Sequence, residues 1–150
     1  ETIRGIVNLK AENQKVEIRI VIHKQTVNRL VKTCEFIARN LLFVDHVALM
    51  GLEITGLTRP NLDLLWIDPY KDTLSEAVAL LNSYGMTVSV YNHQLCTINP
   101  DVLRSYRKSI SDWKTEYLDE CLRCTKRADC GGLFSSSKRY QHSQYIRAFG

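Results

Sequence analysis

Regular alternation between two kinds of apolar pattern constrains the fold of this chain more than any other feature. Strand-like stretches begin at Val16 ("VEIRIVIH"), Val44 ("VDHVALMGLEITG") and Met86 ("MTVSVYNHQLC"). Stretches with helical spacing precede each of them: "ETIRGIVNLKAEN", "TVNRLVKTCEFIARNL" and "TLSEAVALLNSYG". Helices that alternate with strands predict a parallel sheet whose strands are joined by right-handed crossovers. Residues 1–95 are therefore predicted to form an α/β core.

The predicted sheet has only three strands, which is few for an open parallel sheet. Such sheets need cover on both faces and neighbours at their edges. The chain also begins with Glu1 rather than Met. We therefore expect strands upstream of Glu1 to belong to the same sheet.

The character of the sequence changes at Cys96, so residues 96–150 are predicted to form a small, loop-rich appendage. The stretch "NPDVLRSYRKSI" predicts a helix, with Asn99 as its cap and Pro100 in its first turn. Beyond Gly132 the chain is rich in Ser, Gly, Arg and Tyr. We expect this tail to consist of loops folded around whatever the nearby cysteines hold.

The stretch "CLRCTKRADCGG" holds three of the five cysteines, Cys121, Cys124 and Cys130, in the spacing C-x2-C-x5-C. Two residues between thiolates allow both sulfurs to bind one ion, and a short loop can return a third. Cys96, at the end of the third predicted strand, is the best fourth ligand, and His142 is the second choice. Cys34 lies on an apolar helix face and is expected in the core.

Four thiolates suit either a [4Fe–4S] cluster or Zn²⁺. One C-x2-C pair with two separate ligands is less regular than the paired C-x2-C motifs of most structural zinc sites, which favours iron–sulfur. A disulfide with free thiols is the third possibility. It is weakened by the odd number of cysteines and by the lack of any secretory signal, which together predict a reducing, cytoplasmic compartment.

Charge and hydropathy narrow the choice of partners. Residues 1–100 have 10 Lys+Arg and 10 Asp+Glu, and residues 101–150 have 10 against 6. This small excess makes nucleic acid an unlikely partner, and it can instead offset the charge of clustered thiolates. No apolar run approaches the ~20 residues of a membrane span, so no membrane partner is expected.

The chain resembles a known family in "VDHVALMGLE", "NLDLLWIDP", "VSVYNHQLC" and "SISDWKTEYLDECLRC". These phrases are similar to the C-terminal part of radical S-adenosylmethionine (SAM) enzymes with a SPASM or twitch-type auxiliary cluster, and most of all to HxsC-type maturases of the His-Xaa-Ser repeat system. The resemblance implies that residues 1–95 are the C-terminal portion of a partial (β/α) barrel. It also implies that residues 96–150 hold an auxiliary [4Fe–4S] cluster through Cys96, Cys121, Cys124 and Cys130.

The resemblance implies a function as well: reductive cleavage of SAM, hydrogen abstraction from a peptide or protein substrate, and covalent modification of that substrate, with partner maturation proteins possible. In this family a C-x3-C-x2-C motif binds the catalytic cluster. The cysteine steps here are 62, 25, 3 and 6 residues, so the motif is missing. The stretch alone is therefore expected not to cleave SAM. The alternative function is a zinc-stabilised binding module without catalysis.

Three further candidates, Arg19, His23 and Glu53, lie in or at the end of predicted strands. By similarity to the family, Arg19 pairs with the SAM carboxylate, His23 lines the same cleft and Glu53 lies near the adenine. The ordinary alternatives are an ion pair between Arg19 and Glu17, a capping or loop role for His23, and a solvated carboxylate for Glu53. Asn92 and His93, at the end of the third strand, either face a substrate cleft, support the cluster or are structural.

Overall fold

The computed structural model describes all 150 residues and is a mixed α/β structure. Its helices are α1 (Thr2–Ala11), α2 (Leu30–Asn40), α3 (Leu62–Leu65), α4 (Lys71–Ser83) and α5 (Ser135–Tyr140). Its strands are β1 (Glu17–Ile22), β2 (His46–Gly51), β3 (Val88–Tyr91), β4 (Thr115–Glu116) and β5 (Leu133–Phe134). The predicted α/β class is confirmed.

The central sheet contains β1, β2 and β3 in that order, and all of its pairs are parallel. Glu17 is opposite His46 at one end of the β1–β2 pair, and Ile22 is opposite Gly51 at the other. The carboxyl ends of all three strands therefore meet at one edge of the sheet. This is the edge at which parallel α/β proteins place their binding residues.

One face of the sheet packs against α2 and α4, because both helices present apolar side chains at helical spacing. The buried residues of α2 are Leu30, Cys34, Ile37 and Ala38, and those of α4 are Leu74, Ala77, Val78 and Leu81. They form one core cluster with alternate residues of the strands. The opposite face of the sheet carries polar side chains, among them Glu17, Arg19, His46 and Ser89.

The helix predicted to begin at Asn99 is wrong. Only Pro100–Val102 forms a short 3-10 turn, and the chain then runs beside β3. The N–H of Val90 donates to the carbonyl of Ser105, and the N–H of Arg107 donates to the carbonyl of Val90. These bonds to the edge of the sheet replace the bonds that a longer helix would have made.

The tail also has more regular structure than predicted. Leu133 and Phe134 form β5, which pairs antiparallel with β4, and α5 follows directly. Leu133 and Ile146 are almost fully buried. The main core likewise includes Ile98 and Val102, so packing is continuous across the predicted division at residue 95.

Candidate metal centre

Cys96, Cys121, Cys124 and Cys130 line a single small cavity. Cys34 is not among its lining residues and is fully buried between α2 and the sheet. All five cysteines are free thiols, so no disulfide is present. The structure thus separates the same four cysteines from the fifth as the sequence prediction did.

The four cysteines come from turns rather than from regular elements. Cys96 lies in the 3-10 turn Leu95–Thr97, which follows the carboxyl end of β3 after a short loop. Cys121 lies in the 3-10 turn Asp119–Arg123, and Cys124 follows directly. Since turns have backbone groups that are not used by a sheet or long helix, they can orient both sulfurs and N–H groups toward a bound group.

A glycine pair after Cys130 closes the turn that positions its sulfur. Gly132 has a φ of +65°, and a Cβ there would lie 2.6 Å from the carbonyl oxygen of Glu116. Only glycine fits this backbone without displacement. The N–H of Gly131 donates to the hydroxyl of Tyr106 at 2.6 Å, and the hydroxyl of Tyr117 donates to the carbonyl of Cys130 at 2.9 Å. Two tyrosines therefore hold the backbone around Cys130.

Backbone N–H groups are directed at the sulfurs themselves. Gly132 N–H donates to Sγ of Cys130, and Phe149 N–H donates to Sγ of Cys124, both at 3.4 Å. The backbone of Arg147 also lowers the pKa of the Cys96 thiol, against the larger effect of burial. Hydrogen bonds to ligating sulfur stabilise thiolates and are one of the factors that set the potential of iron–sulfur clusters.

Cys96 feels the charge of two of the other thiols. Burial raises the pKa of Cys96, and negative charge on Cys130 and Cys121 raises it further. Positive charge is close by, because Lys126, Arg127 and Arg147 also line the cavity. A metal would reverse the direction of the pKa shift, since a coordinating thiol is deprotonated.

No three His, Cys, Asp or Glu side chains form a group that could hold a metal ion as they stand. A tetrahedral zinc site, with Zn–S bonds of about 2.3 Å, keeps its sulfurs only about 3.8 Å apart. The four cysteines are all among the residues that line the cavity. His142, the second choice for a ligand, does not line this cavity.

None of the five larger cavities is lined by more than one of the three candidates for the SAM cleft. Arg19 is exposed and forms an ion pair with Glu17, as its ordinary alternative predicted. His23 accepts a hydrogen bond at Nδ1 from the backbone N–H of Gln25, at 3.3 Å, within a turn. Glu53 lies 4.0 Å from the ammonium group of Lys114. The resemblance alone supports a cofactor role for these residues.

A second cavity lies at the carboxyl edge of the sheet, and it is lined by Asn92 and His93, for which a substrate cleft was one of the roles expected from the sequence. Residues at the ends of all three strands line it, together with the segment before α4 and the tail. His93 is 4% exposed; its Nδ1 lies 2.7 Å from the carbonyl of Tyr91, and its Nε2 lies 3.0 Å from the hydroxyl of Tyr70. Burial lowers the pKa of His93 to about 4, so the ring is neutral at physiological pH.

A chain of polar side chains crosses the other face of the sheet. Glu17 contacts Nδ1 of His46, and Nε2 of His46 lies 2.9 Å from the hydroxyl of Ser89. Burial raises the pKa of Glu17, but hydrogen bonds from Arg19 and His46 outweigh that effect and lower it overall. The order of groups is that of a nucleophile triad. Ser89, however, is buried within β3 and lines none of the larger cavities, so we assign the chain to structure.

Comparisons with protein-family models, with curated proteins and with solved structures gave no match for this chain. None of its helices has both the length and the apolarity needed to cross a membrane. The chemistry of the two cavities is therefore the basis for assigning a function.

Proposed function

We propose that this chain is part of a radical SAM peptide-modifying maturase, and that Cys96, Cys121, Cys124 and Cys130 hold an auxiliary [4Fe–4S] cluster. The observation that supports this most directly is the arrangement of these four thiols around one cavity. Each thiolate of such a cluster binds a different iron, so the cluster needs thiols around a space. A single zinc ion needs them around a point. The thiols as they stand form no ready-made group for a metal ion, so metal content decides between the two.

The wall of the cavity suits a cluster in three further ways. Backbone N–H groups of Gly132 and Phe149 donate to two of the sulfurs. The side chains of Arg127 and Arg147 offset the negative charge that four thiolates bring. Leu133 and Ile146 are buried beside the thiols and exclude water from the site. When bound, the cluster would supply electron transfer or a ligation site for substrate.

The wider parts of the proposal follow from the family resemblance. The substrate would be a peptide or protein, SAM would bind to the complete enzyme, and a reducing, cytoplasmic compartment would keep the thiols free. In that setting Arg19, His23 and Glu53 would line the SAM cleft. Arg19→Gln in a complete enzyme is then expected to raise KM for SAM, with Arg39→Gln, an exposed arginine paired with Glu35, as the matched control.

Anaerobic reconstitution with iron and sulfide tests the proposal directly. The chain should bind about four irons and four sulfides and become brown, with visible absorbance. Separate Cys→Ser replacements at Cys96, Cys121, Cys124 and Cys130 should each lower the iron content, whereas Cys34→Ala should not, because Cys34 is in the core. A colourless protein that binds one zinc would establish the alternative, a zinc-stabilised module. Iron content that is unchanged in all four Cys→Ser variants would overturn both.

A further inference from the structure

The cavity at the carboxyl edge of the sheet adjoins the cysteine site, with which it shares the lining residues Gln94 and Leu133, but no cysteine lines it. The proposed function assigns it no role. The cavity is partly enclosed and opens to solvent, and 16 residues line it. Apolar side chains such as Leu52, Ile67 and Phe134 form part of its wall, and Trp66 adds an aromatic surface. Seven of the 16 lining residues are hydrophobic, so the wall is mixed, with polar groups that can orient a ligand.

Hydrogen-bond donors of the wall are largely engaged within the protein. Nε2 of Gln94 donates to the carbonyl of Gly132, the hydroxyl of Thr97 donates to the carbonyl of Gln94, and the hydroxyl of Ser143 donates to Asp68. Because Nδ1–H of His93 donates to a carbonyl, its Nε2 must accept, and the hydroxyl of Tyr70 is the donor. Of these donors only the second N–H of the Gln94 amide is left for a ligand, and the hydroxyl of Ser137 is a further free donor of the wall.

Acceptor groups, by contrast, have spare capacity. Asp68 has a second carboxylate oxygen beyond the one that accepts from Ser143, and the oxygen of Tyr70 has lone pairs free because its proton points to His93. The Asp68 charge is close enough to contribute to the raised pKa of Tyr70, after the larger effect of burial. These two acceptors therefore lie near each other in the cavity.

The formal charge of the wall points in the same direction. Of the 16 lining residues, Asp68 is the single carboxylate, and none is Lys or Arg. An anionic ligand would meet a carboxylate with no cation to offset it. In addition, the buried Nδ1 of His142, another lining residue, has no hydrogen-bond partner. A buried polar atom without a partner is costly, and a polar ligand can supply one.

We propose that this cavity binds an organic cation, an alkylammonium or guanidinium group, whose N–H groups donate to Asp68 and to the oxygen of Tyr70. Trp66 supplies a further attraction, because aromatic faces attract cations. The proposal is independent of metal binding at the cysteines. It therefore stands or falls separately from the proposed function.

Intrinsic fluorescence of Trp66 gives a direct assay. The chain has two tryptophans, and Trp113 is 81% exposed, so Trp113→Phe leaves Trp66 as the sole reporter in a folded protein. Titration of the full chain with n-butylammonium or n-butylguanidinium should change the fluorescence in a saturable manner. Butyrate, which has the opposite charge and a similar length, should not. N-acetyl-lysine and N-acetyl-arginine methylamides show whether a peptide side chain binds more tightly than the free cation.

Variants identify the acceptors. Asp68→Asn keeps the shape but removes the charge, and should weaken cation binding about ten- to a hundredfold, the usual effect of losing a hydrogen bond to a charged group. Asp63→Asn removes an acid outside the cavity and should leave binding unchanged. Tyr70→Phe is the second test if Asp68→Asn folds poorly. Butyrate binding as tightly as the cations, or no saturable signal with any cation, would overturn the proposal. So would cation affinity that is unchanged in both Asp68→Asn and Tyr70→Phe.

Discussion

Acidification from pH 7 to pH 5 should destabilise this protein by about 2 kcal/mol through His93 alone. The ring is buried, its Nδ1–H donates to Tyr91, and its Nε2 accepts from Tyr70. Burial lowers the pKa to about 4 in the folded chain, against an ordinary value of 6.5. Protonation of the second ring nitrogen is therefore unfavourable in the folded state and favourable in the unfolded state over this pH range.

The sign follows from proton linkage. Between pH 6.5 and pH 4 the unfolded chain binds more protons than the folded chain, so stability rises with pH and is lost as pH falls. The full difference in pKa corresponds to about 3 kcal/mol at pH values below both pKa values, and roughly 2 kcal/mol of it develops between pH 7 and pH 5. Glu17 and Asp45 have lowered pKa values, so their contributions are lost only at lower pH.

Urea unfolding at pH 7, 6 and 5 measures this effect when wild type is compared with His93→Gln. Glutamine does not titrate, so the stability of the variant should change less over this range, by about 2 kcal/mol. Both proteins need the same metal content and reducing conditions. Equal pH dependence in the two proteins, or an NMR titration of the His93 ring with a midpoint near 6.5, would refute the reasoning.

Three further predictions concern the sheet edge, the core thiol and the tail. Gly51→Ala should lower the free energy of unfolding by about 1–3 kcal/mol, because its Cβ would lie 2.5 Å from the carbonyl oxygen of Asn92. At Gly5 in α1 an added Cβ would meet open space, so Gly5→Ala should raise the free energy of unfolding by about 0.5–1 kcal/mol. Thermal unfolding of the two variants measures the difference. Burial raises the pKa of Cys34 to about 12. Iodoacetamide at pH 8 should therefore label the other four cysteines of the metal-free native chain and leave Cys34 unmodified, which mass spectrometry measures. Labelling of Cys34 as fast as that of the other four would contradict this. Cys124→Ser should expose residues 131–150 to trypsin while the circular dichroism of the α/β part persists, because the free energy of metal ligation contributes to the folding of the tail. A tail that stays protected from trypsin in the metal-free variant would argue against this.

The sequence by itself determined the α/β order of residues 1–95. Apolar residues that recur every two residues, or every three to four, indicate which side of a strand or helix faces the core. This pattern can be read from a short stretch of sequence, without knowing which distant residues pack against it. Ile18, Ile20 and Ile22 alternate against Glu17 and Arg19 in β1 as predicted. Strand ends were less well determined: the apolar run in β2 continues past Gly51, where pairing with β1 stops.

Only the tertiary structure decided the path of the chain beyond Cys96. Local signals at Asn99 and Pro100 predicted a helix, but the backbone at Ser105 and Arg107 bonds to β3 instead. Pairing between residues distant in sequence depends on which sheet edge is left open, and no short window of sequence contains that information. The tail likewise acquires a strand because Phe134 comes opposite Thr115.

The two cavities also differ in how far they could be predicted from the sequence. Spacing alone singled out Cys121, Cys124 and Cys130, because ligands on one short loop are constrained by that loop. The cavity at the sheet edge brings His93 and Tyr70 together with His142, from segments far apart in the chain. The sequence shows that these residues exist and the fold decides that they meet, because parallel strands place all of their carboxyl ends at one edge while the tail folds back over it.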